Sequence, residues 1–227
     1  MGRALAHLLL IAAAGLLPPV AHLAGLPIGD GAAVQAPASA TGGYVFTYFT
    51  KNGEDGLHLA WSADGYRWEK VAEARSLLTP KVGTAKLMRD PCVVRGPDGR
   101  YHMVWTSGWN EPTIGYAWSP DLITWTGQKA IPVMAHEPTV LNAWAPEVVY
   151  DAARQESLIV WASTIPGRFA QTAGSSEEKY NHRIYATTTK DWAAFTPSAR
   201  TRLGSSRPRR SGTPAARRRR RPPAPTR

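Results

Sequence analysis

The sequence of 227 residues contains one cysteine, so no disulfide can form within the chain and the fold must depend on its apolar core. Cys92 lies in an apolar strand pattern, and we interpret it as a small buried side chain rather than a reactive thiol. No stretch shows a convincing helical period, which disfavours helical folds. Nine tryptophans are many for this length, and each supplies a large, rigid contact surface.

Acidic residues are absent from residues 200–227, which contain eleven arginines. The rest of the chain has 16 Lys and Arg against 17 Asp and Glu, so the net charge of +10 belongs to this tail. Its Pro content and lack of aromatics predict a disordered segment, and a frameshift near residue 200 is a hypothesis for its origin. The run 217–221 could bind polyanions non-specifically, but no aromatics interleave it, so we expect no specific nucleic-acid partner.

Long unbroken apolar runs are also lacking. The N-terminal run 8–17 follows Arg3 and stops at two prolines, which makes it too short to span a bilayer. The small residues of "ASA" at 38–40 suit a cleavage site before Thr41. We therefore predict that 1–40 is a secretory signal peptide and that the protein is extracellular, with no membrane partner. The alternative is an uncleaved apolar leader.

Internal repeats organise the segment 41–199. "AWSADGYRW" at 60–68 matches "AWSPDLITW" at 117–125 at five of nine positions, and "ATTTKDWAAF" at 186–195 is a weaker third copy. In each copy an aspartate precedes an aromatic residue by four positions. We interpret these aspartates as structural, because an aspartate can accept backbone N–H groups in a turn. The pairs are Asp64 and Trp68, Asp121 and Trp125, and Asp191 and Phe195.

Strand patterns precede each copy, and "RDPCVV" at 89–94 aligns with "WAPEVV" at 144–149. Each unit therefore predicts four short antiparallel strands, and units of this kind at a period of about 55–70 residues are typical of a β-propeller. The first unit begins at its second strand, so 41–199 holds about two and three-quarter blades of an all-β fold. A β-sandwich is the second candidate, but it would not explain the repeats.

The aligned pair of strands provides an internal control for Asp90. Proline recurs as Pro91 and Pro146, and we expect it to preset an extended approach to the strand. Asp90 is matched by Ala145, so the repeat itself does not require a carboxylate at this position. A functional role for Asp90 competes with a structural ion pair, for example with Arg89.

Three motifs together resemble the first blades of glycoside hydrolase family 43. They are "RDPCVVRGPDGRYHMVWTS", "IGYAWSPDLITW" and "WAPEVVYD", and the resemblance covers roughly 44–197. It implies a five-bladed β-propeller that hydrolyses arabinose- and xylose-containing glycans with inversion. Of that fold, this chain would hold the N-terminal part.

The resemblance implies that Asp90 is the general base. Arg89, Trp109, Trp144 and Glu147 are the predicted substrate-binding residues, because indole faces stack on sugar rings and carboxylates bind hydroxyl groups. The general acid and a third carboxylate lie in later blades of the family, where this chain has its arginine-rich tail. We therefore expect the chain by itself to be weakly active or inactive.

No cofactor is predicted, although the family can hold calcium at the propeller axis, and we expect a monomer. A non-catalytic glycan-binding propeller is the alternative function. In that case Trp109 and Trp144 would hold the sugar and Asp90 would bind a hydroxyl group.

Overall fold

The computed structural model describes residues 42–172 and 180–201, which form three antiparallel β-sheets. The predicted signal peptide, residues 1–40, and residues 202–227 of the predicted tail lie outside the described residues, so both stay predictions. The helical elements of the described residues are two short 3₁₀ helices, Val71–Ala74 and Ala170–Thr172. Within 42–172 and 180–201, no helix is long and apolar enough to cross a membrane. The all-β prediction is confirmed.

The sheets follow one another along the chain, and we name them blades 1 to 3. Blade 1 has the order β1 (Tyr44–Tyr48), β2 (His58–Ser62) and β3 (Glu69–Lys70). Blade 2 has the order β4 (Arg89–Arg95), β5 (Tyr101–Thr106), β6 (Ile114–Ser119) and β7 (Thr126–Ile131). Blade 3 has the order β8 (Trp144–Asp151), β9 (Glu156–Ser163), β10 (Arg183–Thr189) and β11 (Ala199–Arg200). This is the predicted pattern of four-stranded units with a three-stranded first unit.

The recurring aspartates close equivalent turns in the three blades. Oδ1 of Asp64 accepts the N–H groups of Tyr66 and Arg67, both at 2.8 Å. Asp121 and Asp191 accept two backbone N–H groups in the same way. These backbone hydrogen bonds lower the pKa of Asp64 and of Asp191. The structural interpretation of these aspartates is confirmed.

The core lies between neighbouring blades. Trp105 of β5 is fully buried between blades 1 and 2, and its repeat counterpart Trp161 of β9 is buried between blades 2 and 3. Gly115 of β6 makes room for the first of them, because a Cβ there would lie 2.0 Å from the Trp105 indole. In blade 3 that position is Tyr185, whose ring stacks on Trp161 at 6.4 Å.

A β-bulge interrupts the first strand of blades 2 and 3 at the same place. The register breaks after Arg89 in β4 and after Trp144 in β8. Asp90 and Ala145 in the bulges have φ of 50° and 46°, which is the left-handed region. The expectation of an extended approach to the proline is therefore wrong, because the extra residue of the bulge turns the backbone sharply before Pro91 and Pro146.

Candidate active site

Asp90 lies in the bulge at the start of β4, where its side chain is exposed. Thr106, the last residue of β5, donates a hydrogen bond from Oγ1 to Asp90 Oδ2 at 3.0 Å. The same hydroxyl oxygen accepts the N–H of Ala145 at 2.8 Å. Because Thr106 is only 2% exposed, packing holds this donor in place. Thr106 therefore links the carboxylate of blade 2 to the first strand of blade 3.

The two bulges show that this polar pair is not required by the architecture. Strand register places Thr106 opposite Arg89 and Ala162 opposite Trp144. The pair of Asp90 and Thr106 in blade 2 thus corresponds to the pair of Ala145 and Ala162 in blade 3. Since the bulge also forms with two alanines, the carboxylate and its hydroxyl donor occur together for a reason other than folding of the blade.

Arg89 does not pair with its neighbouring carboxylate. Its guanidinium carbon lies 4.7 Å from the centre of the Phe49 ring and 4.4 Å from that of Trp109. Its Nη1 donates to the backbone and side-chain oxygens of Asn52, at 3.3 and 3.1 Å. Among the ion pairs of residues 42–172 and 180–201, none joins Arg89 to Asp90. The structural ion pair that competed with a functional Asp90 is therefore not formed.

Trp109 and Trp144 form an aromatic wall beside this arginine. Their ring centres are 5.5 Å apart, edge to face, and Trp144 Nε1 donates to the backbone oxygen of Trp109 at 2.8 Å. Trp109 Nε1 donates to Asn52 Oδ1 at 3.0 Å, and its side chain is 42% exposed. Tyr180 and His182 extend the wall, with ring centres 5.4 and 5.3 Å from that of Trp144.

Glu147 occupies a different place from the other predicted binding residues. It lies on β8 three residues after Trp144, where it is half-buried and opposite Val160 in the ladder. Its repeat counterpart Cys92 lies across the blade interface, where Cys92 Sγ accepts the N–H of Val148 at 3.4 Å. Burial raises the pKa of the Cys92 thiol, and the charge of Glu147 adds to that rise. Arg89, Trp109 and Trp144 thus contact one another in one cluster. Thr106 connects this cluster to Asp90 through the N–H of Ala145, the residue after Trp144, and Glu147 lies further along β8.

Glu111 is a buried carboxylate that the sequence interpretation missed. It is 8% exposed in the loop after β5, where Oε1 accepts the N–H of Ala85 at 2.8 Å and Oε2 accepts the Ser107 hydroxyl at 3.0 Å. A Cβ at Gly83 or Gly108 would lie within 2.5 Å of this carboxylate, so both glycines are needed for its close approach. Glu111 therefore ties the loop that carries Trp109 to the connection between blades 1 and 2. Its only sequence signal is its position two residues after that tryptophan.

The site offers general acid–base chemistry at a carboxylate together with stacking surfaces for a sugar. No group of three or more His, Cys, Asp or Glu in the described part of the chain is arranged to hold a metal ion. Asp90 projects from a strained backbone position with one oxygen held by Thr106. Aromatic faces beside a carboxylate are the combination that sugar recognition requires, because rings stack on aromatic faces and hydroxyl groups bind the carboxylate.

A comparison with protein families matches residues 39–201 to the family Glyco_hydro_43_rel, described as "Probable glycosyl hydrolase domain". No curated protein matches the sequence significantly. Solved structures are similar over part of their length. The α-L-arabinofuranosidase of Clostridium thermocellum ATCC 27405 has 19% identity and a TM-score of 0.46, over 69% of this chain and 47% of that one.

Two further solved structures have the same partial similarity. An N-acetylgalactosamine deacetylase of F. plautii has 13% identity and a TM-score of 0.44, over 64% of this chain and 44% of that one. The arabinanase of Bacillus subtilis has 15% identity and a TM-score of 0.34, over 48% of this chain and 36% of that one. The chain therefore spans less than half the length of these three structures.

Proposed function

The chain belongs to the family of glycosyl hydrolase domains related to glycoside hydrolase family 43, and from this we propose that it forms part of a secreted glycosidase. Its substrates are arabinose- or xylose-containing polysaccharides, whose O-glycosidic bonds are hydrolysed with inversion. The observation that carries the proposal is the placement of Asp90, held by Thr106 beside the wall of Trp109 and Trp144.

Asp90 acts as the general base in this proposal. Its carboxylate takes a proton from water, and the water oxygen attacks the anomeric carbon as the bond to the leaving oxygen breaks. A second carboxyl group on the opposite side gives its proton to that oxygen, at about 6.5–9.5 Å from the base to leave room for the water. Because Thr106 engages Oδ2, we expect Asp90 Oδ1 to take the proton.

The aromatic wall holds the sugar ring. Trp109 presents an exposed indole face, while its hydrogen bond to Asn52 and the edge contact with Trp144 fix the plane of the ring. Arg89 is already held between two aromatic rings, so its remaining N–H groups can donate to sugar hydroxyls with little loss of side-chain entropy. We assign Glu147, three residues after Trp144 on β8, to support of the aromatic wall.

We infer that the 227-residue chain alone has little or no hydrolytic activity. In the related family the general acid belongs to later blades, and the last acidic residue of this sequence is Asp191, which its turn already engages. Without leaving-group protonation, a loss of about 10²–10⁴-fold is expected for a glycosidase.

The test is the release of arabinose or xylose from arabinoxylan oligosaccharides by the purified chain, because the sugar leaving groups of these substrates need a proton. We compare the wild type with Asp90→Asn and with Asp151→Asn, a matched change of a surface turn. The base assignment is supported if the wild type and Asp151→Asn release the sugar slowly and Asp90→Asn releases none. Turnover of about 1 s⁻¹ or more would refute the inference of weak activity, and turnover that survives Asp90→Asn would refute the base.

A non-catalytic glycan-binding role is the second candidate, and the exposure of Trp109 favours it. Titration with arabinoxylan oligosaccharides, followed by indole N–H resonances in NMR spectra, separates the two. Binding that is lost in Trp109→Ala but retained in Asp90→Asn indicates a binding module. A preference for galactan oligosaccharides in the same titration would contradict the proposed substrate class.

A further inference from the structure

A cavity lies between blades 2 and 3, at the ends of the strands away from Asp90. It has a volume of about 410 Å³ and is lined by residues of both blades and of the turn that Asp191 closes. The five residues 91–95 of β4 separate it from Asp90, which corresponds to about 17 Å along the strand. Its volume is in the range of small-molecule sites of about 300–1,000 Å³. The cavity is thus distinct from the candidate active site.

A chain of hydrogen-bonded side chains forms one wall of this cavity. Asp98 Oδ1 lies 3.1 Å from His102 Nε2, and His102 Nδ1 lies 2.9 Å from the Tyr116 hydroxyl. His102 is 3% exposed and stacks on Trp192 with ring centres 4.6 Å apart. Gly96 allows this arrangement, since a Cβ there would lie 2.6 Å from Asp98 Oδ1. The wall is therefore an ordered polar surface that reaches from the core to the cavity.

The repeats show that the blade can be built without this polar pair. Strand register places Val45 and Leu59 at the positions of His102 and Tyr116 in blade 1. In blade 3 the same positions hold Leu158 and Ala186. Apolar pairs thus fill the equivalent places in both neighbouring blades, so folding of the blade does not explain a histidine and a tyrosine in blade 2. The same comparison distinguished Asp90 from Ala145 at the other end.

The charges around the cavity favour an anion. Both carboxylates have partners of their own. Asp98 accepts from His102 and from the N–H of Arg100, and Asp191 accepts from two backbone N–H groups of its turn. Three cations lie among the lining residues, namely Arg100, Lys129 and Lys190. Burial lowers the pKa of His102, so the histidine adds no positive charge at neutral pH. Arg100 Nε lies 4.0 Å from Asp98 Oδ2, and Lys129 Nζ donates to the backbone oxygen of Trp192. The three cations therefore exceed the two carboxylates by one, and the exposed Lys190 carries the charge that no carboxylate of the cavity balances.

Aromatic surface accompanies these cations. The rings of Tyr116, Trp118 and Tyr150 line the cavity together with Trp192. Arg100 lies over Trp118, with its guanidinium carbon 4.1 Å from the ring centre, and Lys129 Nζ lies 5.1 Å from the Tyr116 ring centre. Tyr116 and Trp192 are buried and stacked on each other, so the partly exposed Trp118 and Tyr150 are the rings that can face the C–H face of a sugar. Cations suit a carboxylate on that sugar.

We infer that this cavity binds an acidic sugar unit, a uronate, independently of the site at Asp90. The sugar carboxylate faces Lys129 and Lys190, and its hydroxyl groups bind the side chains of Asp98 and Arg100. Such a site would hold a branched acidic polysaccharide on the face opposite Asp90. The inference does not depend on cleavage, so it can fail or hold whether or not the proposed hydrolase function does.

The test is an NMR titration of the full chain with methyl β-D-glucuronoside, with methyl β-D-glucoside and with inorganic phosphate as separate probes. Lys190→Met is the main variant because Lys190 is exposed and its loss leaves the core unchanged, and Lys70→Met on exposed β3 is the matched control. We expect the glucuronoside to shift resonances of Trp118 and Trp192. We also expect Lys190→Met to raise the Kd of the glucuronoside about three- to fivefold. Lys70→Met and Asp90→Asn should leave this Kd unchanged.

Each other outcome overturns part of the inference. If the glucoside binds as tightly as the glucuronoside, the sugar carboxylate does not contribute to binding. If phosphate binds as tightly as the glucuronoside, the cavity is an anion site that does not recognise a sugar. Shifts confined to Trp109 and Trp144 place the ligand at the Asp90 site instead. No shift with any probe at millimolar concentration rules out the site.

Discussion

The hydroxyl of Thr106 is the point at which the candidate base can be perturbed with least other change. Thr106→Val keeps the shape of the side chain but leaves Asp90 Oδ2 without this donor and the Ala145 N–H without its acceptor. Thr106 is 2% exposed, so water has little access to the place of the missing hydroxyl. An unsatisfied buried group costs about 1–3 kcal/mol. Because Asp90 and Ala145 are themselves exposed, we expect a loss in the lower half of that range, about 1–2 kcal/mol.

The assay is equilibrium unfolding of the full chain in urea, followed by tryptophan fluorescence. Thr106→Ser should restore most of the free energy of unfolding, because serine supplies the same hydroxyl. Thr126→Val, at an exposed threonine at the start of β7, is the matched control and should change it by less than about 0.5 kcal/mol.

A double-mutant cycle isolates the interaction with Asp90. The double variant Asp90→Ala with Thr106→Ala copies the pair of Ala145 and Ala162 in blade 3. Residues in direct contact couple by about 0.5–3 kcal/mol, and we expect a coupling of about 1 kcal/mol here. Additive single changes would refute the reasoning, since Thr106 would then be present for packing and for the Ala145 N–H and not for the carboxylate.

Three further predictions concern groups outside this pair. Burial lowers the pKa of His102 below its ordinary 6.5, so the native state binds that proton less readily and the unfolding free energy should fall as the pH falls below this value. His102→Leu, which copies Leu158, should remove this part of the pH dependence in urea unfolding, and an unchanged slope would contradict the assignment. Glu111→Ala leaves buried donors without an acceptor and should cost about 1–3 kcal/mol in unfolding, whereas the exposed Glu54→Ala should have little effect. Cys92 is half-buried, and desolvation raises the pKa of its thiol, so iodoacetamide should label it more slowly in the native state than in urea. Equal labelling rates would argue against protection of this thiol by the blade interface.

Much of the fold could be predicted because each repeat unit depends on residues that are close together in the sequence. Asp64, Asp121 and Asp191 each bind N–H groups two and three residues away, so the turn depends on a few neighbouring residues. Strand alternation and the recurring X-Pro motif then placed the strands to within about two residues. The left-handed φ of Asp90 and Ala145 was missed, because a bulge depends on the partner strand as well as on the residue itself.

The candidate site was predictable only in part. Comparison of the repeats distinguished Asp90 from Ala145, and the aromatics beside it were found from their composition and place. Thr106 was missed because it reads as an ordinary β-branched residue at the end of a strand. Glu111 was missed because a glutamate in a polar loop carries no signal of burial until Gly83 and Gly108 are brought against it.

The sequence by itself determined the repeating unit, the aspartate turns and the exception at Asp90, since these depend on residues close together in the chain or on comparison of one copy with another. Only the tertiary structure decided how the copies meet. The contact of Thr106 with Ala145 spans 39 residues, and that of Arg89 with Asn52 spans 37. The physical reason is that these bonds form between blades, where the packing of neighbouring sheets, and not the local preference of any residue, sets which side chains face each other.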